Sequence, residues 1–188
     1  MRIELTSDLA KAEKKSALKL LKKLKAELPP DGICYVAGGA PRDWHHGWGC
    51  RDLDIFYMST SDPYFIPKIF GELKRSDDYD EYSSAGGYLT SVHSFNGKGT
   101  FKDTSIQLIN LCKDPLSVIQ NDFPISLSRI WMDVNGNINS SEQYDWSYDR
   151  RMILECHNDT WNYTYLGKII GRFNEYGFIP FNYKGKRT

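Results

Sequence analysis

Residues 35–57, YVAGGAPRDWHHGWGCRDLDIFY, constrain this chain more than any other stretch. An apolar run, Ile33–Ala37, ends in Gly38-Gly39, and Pro41 follows where the first turn of a helix would accept it. Asp52-Leu53-Asp54 then opens a second apolar run ending at Met58. The order is strand, glycine pair, short helix closing near Gly47, loop, acidic strand. Glycines carry no Cβ, so a backbone can approach a phosphate closely there. A helix starting at residue 40 or 41 aims its unused N–H groups and positive dipole end at the same spot. Arg42, in the first turn, has a guanidinium able to complete an anion site. Asp52 and Asp54 alternate with Leu53, so both carboxylates project from one face of a strand. Two such carboxylates suit Mg²⁺, which keeps few protein ligands and takes the rest from phosphate oxygens and water. Such a constellation serves two-metal phosphoryl transfer, one ion activating a hydroxyl and the other stabilising the leaving pyrophosphate. A D-x-D pair or a glycine pair alone is common in turns and on surfaces; their succession in this order is itself a functional geometry.

Gly38-Gly39, Arg42-Asp43, Gly47, Asp52 and Asp54 match the pattern GGxxRDxxxGxxxxDxD. The chain thereby resembles the DNA polymerase β-like nucleotidyltransferase superfamily, in the form found in bacterial tRNA nucleotidyltransferases and poly(A) polymerases. The resemblance implies an α+β fold, a mixed sheet with packed helices and a helical C-terminal end. It implies transfer of a nucleoside monophosphate from an NTP to a hydroxyl acceptor with release of pyrophosphate. It places Mg²⁺ or Mn²⁺ on Asp52 and Asp54 and the triphosphate on Gly38, Gly39 and Arg42, with Asp43 bracing the helix start. Gln120–Ile125 is similar to the family's RRDFTI segment, which helps recognise the ribose; Asp122 is present and the two arginines are not. Gln107 stands where the superfamily often has a third carboxylate, with Asp103 a displaced substitute. The runs Ile106–Ile109, Asp122-Phe123 and Arg172–Phe178 resemble small bacteriophage-encoded nucleotidyltransferase-like proteins. The resemblance is firm over residues 33–57 and loose over 88–130. At 188 residues the expectation is against the further helical domains of a tRNA CCA-adding enzyme. Its EDxxR base-reading motif has only Asp149-Arg150-Arg151 as a counterpart.

Elsewhere the chain reads as one domain with a small appendage: a transferase unit over 1–148 and a helical extension with a basic tail over 149–188. Residues 7–28 form a helix capped by Ser7, with Ala10, Ala17, Leu21, Leu24 and Leu28 on one stripe. Seven lysines between Lys11 and Lys25 crowd its other faces, either as a surface for phosphates or as a merely solvated face. Ile66–Leu73 reads as helical and residues 76–86 as an acidic loop. Strands at Tyr88–Phe95 and Thr104–Leu111 join through Asn96-Gly97-Lys98-Gly99, a hairpin signal rather than a Walker loop. Asp114–Gln120 reads as a short helix and Asn135-Gly136-Asn137 as a hairpin turn. Two helices follow between Asp149 and Gly177, with Gly177 closing the second, and then the basic Lys184, Lys186 and Arg187.

The 24 basic and 24 acidic residues cancel, so any nucleic-acid binding must come from a local patch. No stretch reaches the length of a membrane span, and the N-terminus has no signal-peptide core, so the expected location is the cytoplasm, with Cys34, Cys50, Cys112 and Cys156 reduced. His45, His46 and Cys50 fit no common zinc spacing. Of the five tryptophans, Trp44 and Trp48 flank the glycine pair and could stack bases, core packing being the alternative. The acceptor is open among an RNA 3′ end, favoured here, a protein and a small molecule. A catalytically silent relative that binds nucleotide, RNA or a protein partner is the alternative function, motivated by Gln107 and the missing arginines.

Overall fold

The computed structural model describes residues 3–68, 74–75, 88–154, 167, 170–174 and 176–181. Seven strands form one mixed sheet in the order β3-β4-β5-β2-β1-β6-β7. They are β1 (Ile33–Ala37), β2 (Asp52–Met58), β3 (Lys74–Arg75), β4 (Leu89–Asn96), β5 (Ser105–Leu111), β6 (Ile130–Met132) and β7 (Ile138–Ser140). Only β2 and β5 run parallel; their neighbours pair antiparallel. The expected hairpins around residues 96–99 and 135–137 join β4 to β5 and β6 to β7.

Helices cover one face. α1 (Asp8–Glu27) begins where Ser7 Oγ accepts the N–H of Ala10, and its stripe of Ala10, Ala17, Leu21 and Leu24 is buried. α2 (Gly39–His45) follows β1 directly. Beneath them Val36, Leu53, Ile55, Leu108 and Ile130 form the larger core with Trp44, Phe173 and Phe178. The opposite face carries a smaller cluster of Ala37, Phe56, Val92, Ile109, Phe123 and Trp131. A helical turn, Pro115–Ser117, capped by the Asp114 carboxylate and continuing as a π-helix over Val118–Asp122, adds Val118 and Ile119 to it.

The C-terminal part departs from the expected layout. α3 (Glu142–Arg150), whose N-cap Ser141 accepts the N–H of Tyr144, lies where the sequence marks no helix, because its buried positions, Tyr144 and Ser147, give little aliphatic periodicity. Of the first helix expected from Asp149, residues 149–150 end α3, 152–153 form a strand, and 155–166 lie outside the described residues. Arg151 closes α3 in the left-handed conformation, φ 54°, and β8 (Met152–Ile153) then pairs parallel with β9 (Ile179–Pro180). Residues 170–174 are helical, Gly177 follows with φ 77°, and Ile170, Phe173 and Phe178 join the main core. Ile66–Lys68 are not helical; the rest of the helix expected there, the acidic loop and the basic tail lie outside the described residues.

Candidate active site

Strand register assembles the site. Val36 of β1 pairs with Ile55 of β2, the last pair of that register, and the chain then turns at Gly38 so that Gly39 opens α2 against Asp52. The approach is close: a Cβ on Gly39 would stand 3.1 Å from Asp52 Oδ1 and 3.7 Å from Arg42 Nη2. Gly38 has φ 77° and ψ −119°, a conformation that side chains resist, and a Cβ there would meet the Phe123 ring at 3.7 Å. One glycine is needed for the turn and the other for the contact.

Asp52 and Asp54 are half-buried and share the face of β2 that carries Phe56, while Leu53, Ile55 and Tyr57 face the larger core. The parallel register sets Ser105 beside Asp52 and Gln107 beside Asp54, and Ser94 of β4 lies opposite Gln107. One level further along, Phe56, Ile109 and Val92 replace them. The face is therefore divided into a polar shelf and an apolar floor. Gln107 is buried beside Asp54, and Asp103 lies in the turn before β5 with φ 68°. Among the described residues no group of three or more His, Cys, Asp or Glu side chains comes together.

Arg42 points inward. Its Nε donates to Asp43 Oδ1 at 2.9 Å, its Nη2 lies 2.8 Å from the same oxygen, and its guanidinium sits 4.8 Å from the Phe173 ring centre. Burial raises the Asp43 pKa, and the adjacent Arg42 opposes that shift. The pair locks the first turns of α2 behind Gly39. α2 has seven residues, so its contribution at Gly39 is the unused N–H groups of its first turn rather than a long dipole.

Two residues that sequence reasoning passed over hold this arrangement. Glu13 of α1 is buried, and its Oε2 accepts the indole N–H of Trp44 and the backbone N–H of Cys50, both at 2.8 Å. It ties α1 to α2 and to the loop entering Asp52. Its signal was present, because Glu13 falls on the apolar stripe three residues after Ala10. Arg129 is also buried and donates to the carbonyls of Gln120, Asn121 and Phe123 at 2.7–3.0 Å. It thereby fixes the turn that holds Phe123 against Gly38; nothing in the sequence marks it. Asp122, on that turn, pairs with Lys113 Nζ at 2.7 Å.

Trp44 is fully buried and belongs to the core, whereas Trp48 is 37% exposed and stacks on His46. His45 Nδ1 meets the Tyr144 hydroxyl, and His46 Nδ1 donates to the Arg42 carbonyl. Among the described residues, no helix is long and apolar enough to cross a membrane.

No family model and no curated protein matches the chain. Solved structures do. The CCA-adding enzyme of Thermotoga maritima complexed with tRNA superposes with a TM-score of 0.61 at 18% identity, over 97% of this chain and 44% of its own. A CCA-adding enzyme in complex with ATP gives 0.63 at 19% identity, over 97% and 43%. The Bacillus stearothermophilus enzyme in complex with CTP gives 0.55 at 18%, over 89% and 40%. The chain spans less than half the length of these proteins. Its mixed sheet with packed helices has the α+β fold of nucleotidyltransferase head domains.

Proposed function

We propose that this chain is a metal-dependent nucleotidyltransferase that moves a nucleoside monophosphate from an NTP to a hydroxyl acceptor, an RNA 3′ end being favoured, with release of pyrophosphate. The observation that carries this reading is the contact of Gly39 with Asp52 on the shelf that also bears Asp54 and Gln107. Fold neighbours described in complex with ATP, CTP and tRNA support it.

The shelf's donors fit Mg²⁺ or Mn²⁺: two half-buried carboxylates and an amide oxygen, all hard. Asp52 and Asp54 would hold the ions, which when bound neutralise phosphate charge and acidify the attacking hydroxyl. The backbone at Gly38 and Gly39 receives the triphosphate. Arg42 and Asp43 keep that turn in place, with the Arg42 charge lying behind Gly39. Asp122, on the turn pinned by Arg129, stands in the ribose position. The acceptor hydroxyl gives up its proton to water and its oxygen bonds to the α-phosphorus as the bond from that phosphorus to the α–β bridging oxygen breaks, so that pyrophosphate leaves with that oxygen.

The competing reading is a degenerate relative that binds nucleotide without turnover, favoured by the neutral Gln107 and by Gln120 and Asn121 in place of arginines. Incubation with each labelled NTP, Mg²⁺ or Mn²⁺ and mixed RNA separates the two. Incorporation should vanish in both Asp52→Asn and Asp54→Asn, with melting temperatures equal or raised because like charges are relieved. Incorporation persisting in both variants, or unfolding of either, would refute the assignment.

A further inference from the structure

A cleft of about 530 Å³ opens at the C-terminal end of α2, walled by the rings of His46, Trp48, Tyr148 and Tyr176 and by Arg151 and Glu4. Its volume is that of a small-molecule site. It belongs to the helix layer, since His46 hydrogen-bonds the Arg42 carbonyl and packs edge-on to the core residue Phe178, whereas Asp52 and Asp54 face the other side of the sheet. It is therefore distinct from the triphosphate turn, from which α2 separates it by about 10 Å.

Two features of the cleft call for a ligand. Its rings are already stacked into platforms: Trp48 lies 4.8 Å from His46 at 16° and 4.1 Å from Tyr176. The Arg151 guanidinium lies over Tyr148 and Phe178 and pairs with no carboxylate among the described residues. Aromatic platforms and a guanidinium with no carboxylate partner among the described residues are complementary to a nucleotide: a planar ring and a phosphate.

We infer that this cleft binds one unstacked nucleotide, base and phosphate together, as a second foothold for the acceptor strand. This rests on the reading that the acceptor is a nucleic acid. The test uses the Asp52→Asn chain in EDTA, so binding is read without turnover. A dye-labelled single-stranded RNA pentamer is titrated by fluorescence anisotropy, with AMP, adenosine and inorganic phosphate as competitors. Trp48→Ala and Arg151→Asn should each weaken pentamer binding by about tenfold. Arg151→Asn should also flatten the salt slope by about 0.7, the loss of one phosphate contact. Asparagine tolerates the left-handed backbone there, and Trp48→Phe, which keeps a ring, should restore most of the affinity. AMP should outcompete both adenosine and phosphate. A pentamer much tighter than AMP supports the strand as occupant, whereas equal affinities would mark a free-nucleotide site and overturn the foothold. Undiminished binding in both variants at unchanged melting temperature, absence of binding by any probe, or phosphate competing as well as AMP would overturn the inference. Incorporation by the parent chain, assayed separately, tells failure of this foothold from failure of the transferase reading.

Discussion

Replacing Gly39 by alanine tests whether the glycine pair serves the turn or the contact. The added methyl would lie 3.1 Å from Asp52 Oδ1 and 3.7 Å from Arg42 Nη2. Ordinary carbon contacts are about 3.5–4.0 Å, so the carboxylate must give by a few tenths of an ångström. The backbone itself raises no objection, because Gly39 is not among the residues of positive φ and it opens α2. There alanine gains up to about 1 kcal/mol in helix propensity, offsetting the crowding. Stability should stay within about 1 kcal/mol of the parent, roughly 2–4 °C in melting temperature. Metal-dependent NTP binding should suffer instead. A misplacement of 1 Å can cost about a hundredfold, so a few tenths predict a loss of about tenfold. Gly38→Ala behaves oppositely. Its φ of 77° with ψ −119° is glycine territory, so alanine costs about 1–3 kcal/mol of fold stability. Thermal melts and calorimetric titration with an α,β-methylene NTP analogue and Mg²⁺ measure both. Parent-like binding in Gly39→Ala, or equal melting of the two variants, would refute the division of labour.

Glu13→Ala strands the N–H groups of Trp44 and Cys50 and should cost about 2–4 kcal/mol in urea midpoints; Glu13→Gln, which keeps an acceptor, should recover most of it, and a parent-like alanine variant would dismiss the brace. Burial lowers the His46 pKa to about 4. The unfolded chain then takes up a proton below about pH 6.5 that the folded chain refuses until about pH 4, so stability falls as pH drops through that window. With the ring only partly buried the loss should be about 1–2 kcal/mol. Urea melts at about pH 7.5 and about pH 5 should show a flatter response in His46→Gln, and equal responses would refute it. Lys15, Lys19, Lys22 and Lys23 are exposed on α1; reversing them to Glu should abolish RNA binding and leave NTP binding intact, with parent affinity falling by about 0.7 log units per phosphate contact per decade of salt. Unchanged RNA transfer in that variant removes RNA from the acceptors.

Local chemistry was legible in the sequence. The cap at Ser7, the strand ending at Ala37 and the alternation that puts Asp52 and Asp54 on one face all follow from short-range rules. The unusual backbone of Gly38 could be anticipated because only glycine enters that region readily. Long-range partnerships were not legible. Glu13 sits on the apolar stripe, yet nothing local says that an indole and an amide 31 and 37 residues away will meet its carboxylate. Arg129 is equally silent, because its acceptors are main-chain carbonyls and carry no side-chain signature. The spacing points Arg42 at an anion but does not show that its neighbour in sequence, Asp43, holds the guanidinium in a buried pair.

The division of the sheet face explains why the shelf is where it is. β2, β5 and β4 change character at the same level, from Asp54, Gln107 and Ser94 to Phe56, Ile109 and Val92. The apolar level joins the cluster that includes Val118, Ile119 and Phe123, so the polar level beside it is where carboxylates can stay hydrated. Phe123 belongs to that cluster and also meets Gly38, which couples the edge of the cover to the glycine turn. Any residue on the shelf must therefore balance two demands. Without a cation, each added carboxylate next to Asp52 and Asp54 raises like-charge repulsion; with one, it adds a ligand. Gln107 meets the first demand and weakens the second, since it is buried and uncharged beside Asp54. Under the proposed transferase reading, Asp52 and Asp54 would take a cation together with the phosphates of the substrate, while Gln107 on β5, between β2 and β4, would leave its position uncharged.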